Sequence, residues 1–94
     1  MLTDNYLILE RLNPGIGGVQ RIYRFPSGYG LSLINSPMAH SWPFAWEAAV
    51  LRDVSEDGLS SELTYDTKLT SDVEIFSSDE EANEFIQLAA ETLA

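Results

Sequence analysis

The chain has 94 residues, 45% of them hydrophobic, and a formal net charge of −10. This length supports one hydrophobic core, so we expect a single domain over residues 1–94. The absence of cysteine excludes disulfides, thiolate metal ligands and cysteine nucleophiles, and no apolar run is long enough to span a membrane. The first twelve residues include Asp4, Glu10 and Arg11 and lack the form of a signal peptide. We therefore expect a soluble, cytoplasmic protein.

The negative charge is concentrated in the second half of the sequence. Residues 1–46 have a net charge of +1, whereas residues 47–94 have a net charge of −11. Such a field repels nucleic acid and anionic membranes and attracts basic molecules. We therefore expect no direct binding to nucleic acid or to a membrane, and a partner protein with a basic surface.

Short apolar segments separated by turn residues predict strands in the first part of the chain. Residues 1–12 fit either a strand or a short helix, and we favour a strand. Residues 19–25 alternate like a strand, with Arg21 as an exception on the apolar side. Pro26 to Gly28 then provide the turn of a tight hairpin into residues 29–35.

The pattern continues after an irregular segment that contains two prolines. Residues 44–53 predict a third strand of the hairpin system, with Trp46, Ala48 and Val50 on one side. A polar connection follows, and then two shorter strands are predicted over residues 63–65 and 72–76. The sequence therefore predicts an antiparallel sheet with short connections.

A helix is predicted at the C-terminal end. Ser78 followed by Glu81 is the capping-box pattern, and acidic residues in the first turn suit the helix dipole. Apolar residues then recur at helical spacing: Ala82, Phe85, Ile86, Ala89, Ala90 and Leu93. Because this stripe needs a partner, the fold class is α+β: an antiparallel β-meander of four to five strands, with one C-terminal helix packed on one face.

No residue pattern indicates catalysis or a cofactor. His40 is the only histidine, and its neighbour Ser41 would point to the opposite side of an extended chain. The glycines of residues 15–18 lack the lysine and helix start of a phosphate-binding loop. Asp53 and the two acids near it could bind calcium, but their spacing favours a solvated turn. We expect a protein that is not an enzyme and has no cofactor and no metal.

Two groups of residues are candidates for binding a partner. Carboxylates on the helix and on segments near it could imitate the phosphates of nucleic acid in a basic groove, although a solvated face is the simpler interpretation. Aromatic residues beside the proline-bounded loop form the second group, with Trp46 assigned to the core. The candidates are Asp66, Asp72, Glu74, Asp79, Glu80, Glu84 and Glu91 in the acidic group, and Trp42 and Phe44 in the aromatic group.

Three segments carry a resemblance to a known family. They read FPSGYGLSL at residues 25–33, FAWEAAVL at 44–51 and YDTKLTSDV at 65–73, and an acidic helix follows. This order resembles a family of short acidic proteins from tailed phages and prophages, with the pattern FPNGYGASV, WELAVL, YDTPITDDV and EEE. The chain departs from that pattern at Ser27, Leu31, Lys68 and Ser71.

The resemblance covers residues 23–85 and implies a phage or prophage accessory protein, without an assigned activity. By analogy of context and charge, we expect a protein that binds and inhibits a host protein, such as a CRISPR defence factor, through the acidic face. The alternative is a structural or assembly role, in which the aromatic patch or a sheet edge forms a homo-oligomer or docks on a larger complex.

Overall fold

A computed structural model describes residues 2–12, 18–35, 46–64 and 74–93. Within these ranges the chain forms six strands and one helix. They are β1 (Leu7–Leu12), β2 (Val19–Arg24), β3 (Gly30–Asn35), β4 (Trp46–Arg52), β5 (Glu62–Leu63), β6 (Glu74–Phe76) and α1 (Asp79–Thr92).

The strands form one antiparallel sheet in the order β1-β2-β3-β4-β5, and β6 pairs with β4. Because β3 occupies one edge of β4, both β5 and β6 lie on its other edge. There β5 pairs with Leu51 and Arg52, and β6 pairs with the segment from Trp46 to Ala48. The predicted α+β class and the antiparallel sheet with a C-terminal helix are therefore confirmed, and residues 7–12 form a strand.

The hairpin between β2 and β3 shows why this part of the sequence folds locally. Pro26 and Ser27 occupy the centre of the turn, and the Gly28 amide donates a hydrogen bond to the Phe25 carbonyl at 2.9 Å. Gly28 has a φ of +94°, which side chains rarely adopt, and Phe25 N–H donates to the Tyr29 carbonyl at 2.8 Å. This is a turn with a glycine bulge, and its geometry fixes the register of the two strands.

The main hydrophobic core lies between α1 and one face of the sheet. Tyr23 and Phe25 are completely buried there, as are Leu31 and Leu33. On β4, Ala48 and Val50 are buried in the same core and Trp46 packs against it, as the alternation of that strand predicts. The helix and its C-terminal cap residue contribute Ala82, Ile86, Ala89, Ala90 and Leu93.

Arg21 is the exception in this pattern, because it is only 8% exposed on the core face of β2. Its guanidinium pairs with Asp4 and with Glu10, whose Oε2 lies 3.3 Å from Nε. The guanidinium carbon also lies 5.7 Å from the centre of the Tyr23 ring. The charge is thus neutralised at the margin of the core by acids from the N-terminal segment and β1.

The opposite face of the sheet carries a smaller cluster. Ile22, Leu51 and Val54 are buried there, and Ile8 and Leu9 pack against them. Ile22 therefore faces away from the main core. The helix covers one face of the sheet, whereas the loop after β4 covers only part of the other face.

Candidate protein-binding surface

The start of α1 is fixed by side-chain hydrogen bonds. The Ser78 hydroxyl accepts a bond from Glu81 N–H at 3.2 Å, as the capping pattern predicts. The Glu81 carboxylate reaches back to Ser77, where it accepts bonds from the amide at 3.3 Å and the hydroxyl at 3.2 Å. In a capping box this carboxylate would accept a hydrogen bond from the amide of the cap residue. Here it accepts one from the amide of Ser77, the residue before the cap. Acids in the first turn also lie at the positive end of the helix dipole.

Other contacts hold the helix along its length. Trp46 Nε1 on β4 donates to Asp79 Oδ1 at 2.9 Å. Asn83 Oδ1 accepts a hydrogen bond from Thr3 N–H at 2.8 Å, and the Ser27 hydroxyl in the hairpin turn donates to the Leu93 carbonyl. The helix is thus attached to the sheet, the N-terminal segment and the hairpin. These contacts fix the position of the outer side of the helix relative to the rest of the fold.

The outer side of α1 carries Glu80, Glu84 and Glu91, all of which are exposed. Residues four and seven apart lie on the same side of a helix, and Ala82, Ile86 and Ala89 point the other way, into the core. From Glu80 to Glu91 the helix rises about 16 Å. We call these three glutamates the acidic face.

The acidic face has no compensating base within the described residues. The last basic residue in the sequence is Lys68, so the helix itself contains none. Among the described ion pairs, the acids are Asp4, Glu10 and Glu62, none of which lies on α1. Glu80 and Glu84 are one helical turn apart, and like charges at this spacing repel each other. The acidic face therefore stores unfavourable electrostatic energy that a basic partner can relieve.

Two other acidic candidates lie near the helix but not on its outer side. Asp79 is half-buried and accepts the hydrogen bond from Trp46, so it supports the fold. Glu74 is half-buried on β6 and pairs with Ala48, which places it on the side of the sheet that α1 covers. Asp66, Asp72, Trp42 and Phe44 lie outside the described residues.

One residue of this surface was missed by the sequence analysis. Leu88 is 51% exposed and lies between Glu84 and Glu91 on the outer side of the helix. Gln87 beside it donates from Nε2 to Glu91 Oε1 at 3.1 Å. The sequence does contain a signal for this exposure. Leu88 is an apolar residue outside the apolar stripe of the helix, so helical spacing predicts that it faces solvent. A partner that covers the acidic face would also bury part of this apolar side chain.

One acid of the loop after β4, Asp57, has a structural role. Asp57 Oδ1 accepts hydrogen bonds from the Ser55 hydroxyl at 2.6 Å and from Leu59 N–H at 3.0 Å. The Ser55 bond is the main reason that the pKa of Asp57 lies below its usual value. Throughout the described ranges, no group of three or more His, Cys, Asp or Glu side chains could hold a metal ion.

Comparisons with known proteins identify no relative. No family model matches the chain, and neither a curated protein nor a solved structure matches it. In the described part of the chain, no helix has the length and apolar character that a membrane crossing requires.

Proposed function

We propose that this protein is a non-enzymatic binding module that docks the acidic face of α1 on a basic surface of another protein. The observation that carries the proposal is the row of Glu80, Glu84 and Glu91 on the outer side of the helix, without a base on that helix. Attachment of the helix to β4, to the hairpin and to the N-terminal segment reduces the entropy that binding would cost.

The partner class follows from this charge arrangement. A row of fixed carboxylates complements lysine and arginine side chains, and such side chains line the grooves that bind nucleic acid. The partner is thus a basic, nucleic-acid-handling protein whose groove the helix occupies. The resemblance to phage and prophage proteins supports a finer proposal, in which the partner is a host defence factor and its activity is inhibited.

The experiment is capture of partners from host lysate with three forms of the protein at low and high salt. The test variant carries Glu80→Lys and Glu84→Lys. The matched control carries Glu56→Lys and Glu62→Lys, which make the same change in net charge at exposed positions away from the helix. Glu62→Lys also breaks the ion pair with Arg52, which is exposed and should contribute less than about 1 kcal/mol to stability. We expect wild type and control to retain a basic protein at low salt, which the test variant loses and high salt releases.

Two results would overturn the proposal. The first is equal retention by the test variant and wild type, which would show that the acidic face is not the contact. The second is equal loss from the test variant and the control, which would show that net charge alone determines retention.

The open edge of β1 supports a second candidate function, an assembly role. Within the described residues, β1 pairs only with β2, and Leu12 at its end is 79% exposed. An open edge can add a strand from another chain. The net charge of −10 opposes association between identical chains, so we expect the mass of a monomer by light scattering, even at high protein concentration. A dimer that dissociates when Glu10 and Leu12 are replaced by proline would favour the assembly role.

A further inference from the structure

The face of the sheet that α1 does not cover contains a groove with a volume of about 570 Å³. Its floor is formed by Ile22, Ile34, Ala49 and Leu51, from three adjacent strands. A volume of this size is within the range of small-molecule sites, roughly 300 to 1,000 Å³. The groove is separated from the acidic face by the whole thickness of the sheet.

The wall of the groove is an ordered loop. Ser55 N–H donates to the Ser60 carbonyl at 2.9 Å, and Ser60 N–H donates to the Ser55 hydroxyl at 3.0 Å. Gly58 has a φ of +77°, and a Cβ added there would lie 2.9 Å from Leu9 Cβ. The loop is therefore packed directly on β1, and Leu59 and Leu63 remain exposed at the rim.

One end of the groove holds a positive charge. Arg11 Nε donates to Gln20 Oε1 at 2.9 Å, and Gln20 Nε2 donates to the Ser32 hydroxyl at 3.1 Å. This chain of bonds positions the guanidinium, and within the described part of the chain no group accepts a hydrogen bond from its terminal amino groups. Among the described residues, no acid lines the groove and no carboxylate pairs with Arg11, although the chain contains fifteen acids.

We propose that this groove binds an aliphatic monocarboxylate, with its carboxylate on the terminal nitrogens of Arg11 and its apolar chain along the floor. Arginine matches a carboxylate with two parallel hydrogen bonds, and burial of the aliphatic chain supplies the hydrophobic contribution. The net charge of −10 disfavours a polyanion, and Arg11 is the one base among the described residues that line the groove. A single carboxylate with an apolar tail fits both the charge and the surface.

The test uses octanoate as the probe and octanol as the uncharged comparison, with binding followed by amide shifts in NMR spectra of the full chain. We expect octanoate to shift the amides of Ile34, Ala49 and Leu51, and octanol to bind about tenfold more weakly. We expect Arg11→Gln to weaken octanoate binding about tenfold as well. Arg52→Gln is the matched control, since it removes an exposed arginine outside the groove and should change binding less than twofold.

Wild-type spectra test the proposal even if a variant fails to fold. Absence of shifts at the groove up to millimolar octanoate would overturn it, as would equal affinity for octanoate and octanol, or unchanged affinity in Arg11→Gln. The variant Glu80→Lys with Glu84→Lys should bind octanoate like wild type. Loss of protein partners in that variant, together with unchanged octanoate binding, separates this site from the acidic face.

Discussion

The two sides of α1 differ in what they do for the molecule. The inner side is apolar and buried, and Ile86 is 1% exposed against the sheet. The outer side carries Glu80, Glu84 and Glu91, whose mutual repulsion slightly destabilises the helix. The inner side of the helix thus contributes to stability, and the proposed function belongs to the outer side. Substitutions on the two sides should therefore separate stability from binding.

The largest expected effect is on the inner side. Ile86→Ala should lower the free energy of unfolding by about 2 to 5 kcal/mol, because it leaves a cavity between the helix and the sheet. Leu88→Ala, two residues along the same helix, should change it by less than about 0.5 kcal/mol, because Leu88 is half-exposed. Urea unfolding of both variants checks this difference. Equal losses would mean that the helix does not pack as described.

The next effect concerns pH and the core residue Tyr23. Burial raises the pKa of Tyr23 to about 12, compared with about 10 in the unfolded chain. The neutral phenol is therefore favoured by folding, so its contribution is complete below pH 10 and is lost as the pH rises from 10 to 12. Roughly 2 to 3 kcal/mol of stability should disappear across this interval.

The measurement is urea unfolding of wild type and Tyr23→Phe at a series of alkaline pH values. The variant cannot ionise at this position, so the difference between the two proteins isolates the Tyr23 titration from other groups. We expect wild type to lose stability faster than the variant above pH 10. Parallel curves would contradict a raised pKa.

A smaller effect is expected at the N-terminal end of α1, where Ser78 caps the helix. Ser78→Ala removes the acceptor for Glu81 N–H and should destabilise the protein by about 1 kcal/mol. Ser78→Asp keeps a capping oxygen and should remain within about 0.5 kcal/mol of wild type. Thermal unfolding of the two variants distinguishes them. If both variants lost the same stability, the capping bond would not contribute.

The smallest effect is expected on the outer side, and it has the opposite sign. Glu84→Lys replaces the repulsion between Glu80 and Glu84 by an attractive pair one turn apart, so it should raise stability by about 0.5 kcal/mol. Glu84→Gln removes only the repulsion and should give about half of that gain. Both gains should shrink at high salt. A loss of stability in both variants would show that Glu84 supports the fold.

Much of this fold could be predicted because its signals are local. Ser78, Glu81 and the apolar stripe lie within one helix, and the turn residues of the hairpin follow one another directly. Alternation within β4 also placed Trp46, Ala48 and Val50 on one side correctly, since strand periodicity depends only on neighbouring residues.

The remaining features depend on residues that are distant in the sequence. Alternation within β2 does not explain Arg21 on the core face. The explanation is its ion pairs with Asp4 and Glu10, which lie more than ten residues away in the sequence. The hydrogen bond from Trp46 to Asp79 joins residues 33 positions apart. It holds the Asp79 carboxylate against β4, so this acid does not belong to the outer side of the helix. The groove of Arg11 likewise forms only when strands and a loop meet, so no local pattern indicates it.

The central claim is that the acidic face binds a basic partner, and the most direct test is the salt dependence of affinity for a purified captured partner. Wild type should bind progressively more weakly as salt rises, because the attraction between exposed charges is screened. The variant with Glu80→Lys and Glu84→Lys should bind at least about tenfold more weakly at low salt and show little salt dependence. If wild type and variant have the same affinity and the same salt dependence, the acidic face is only a solvated surface.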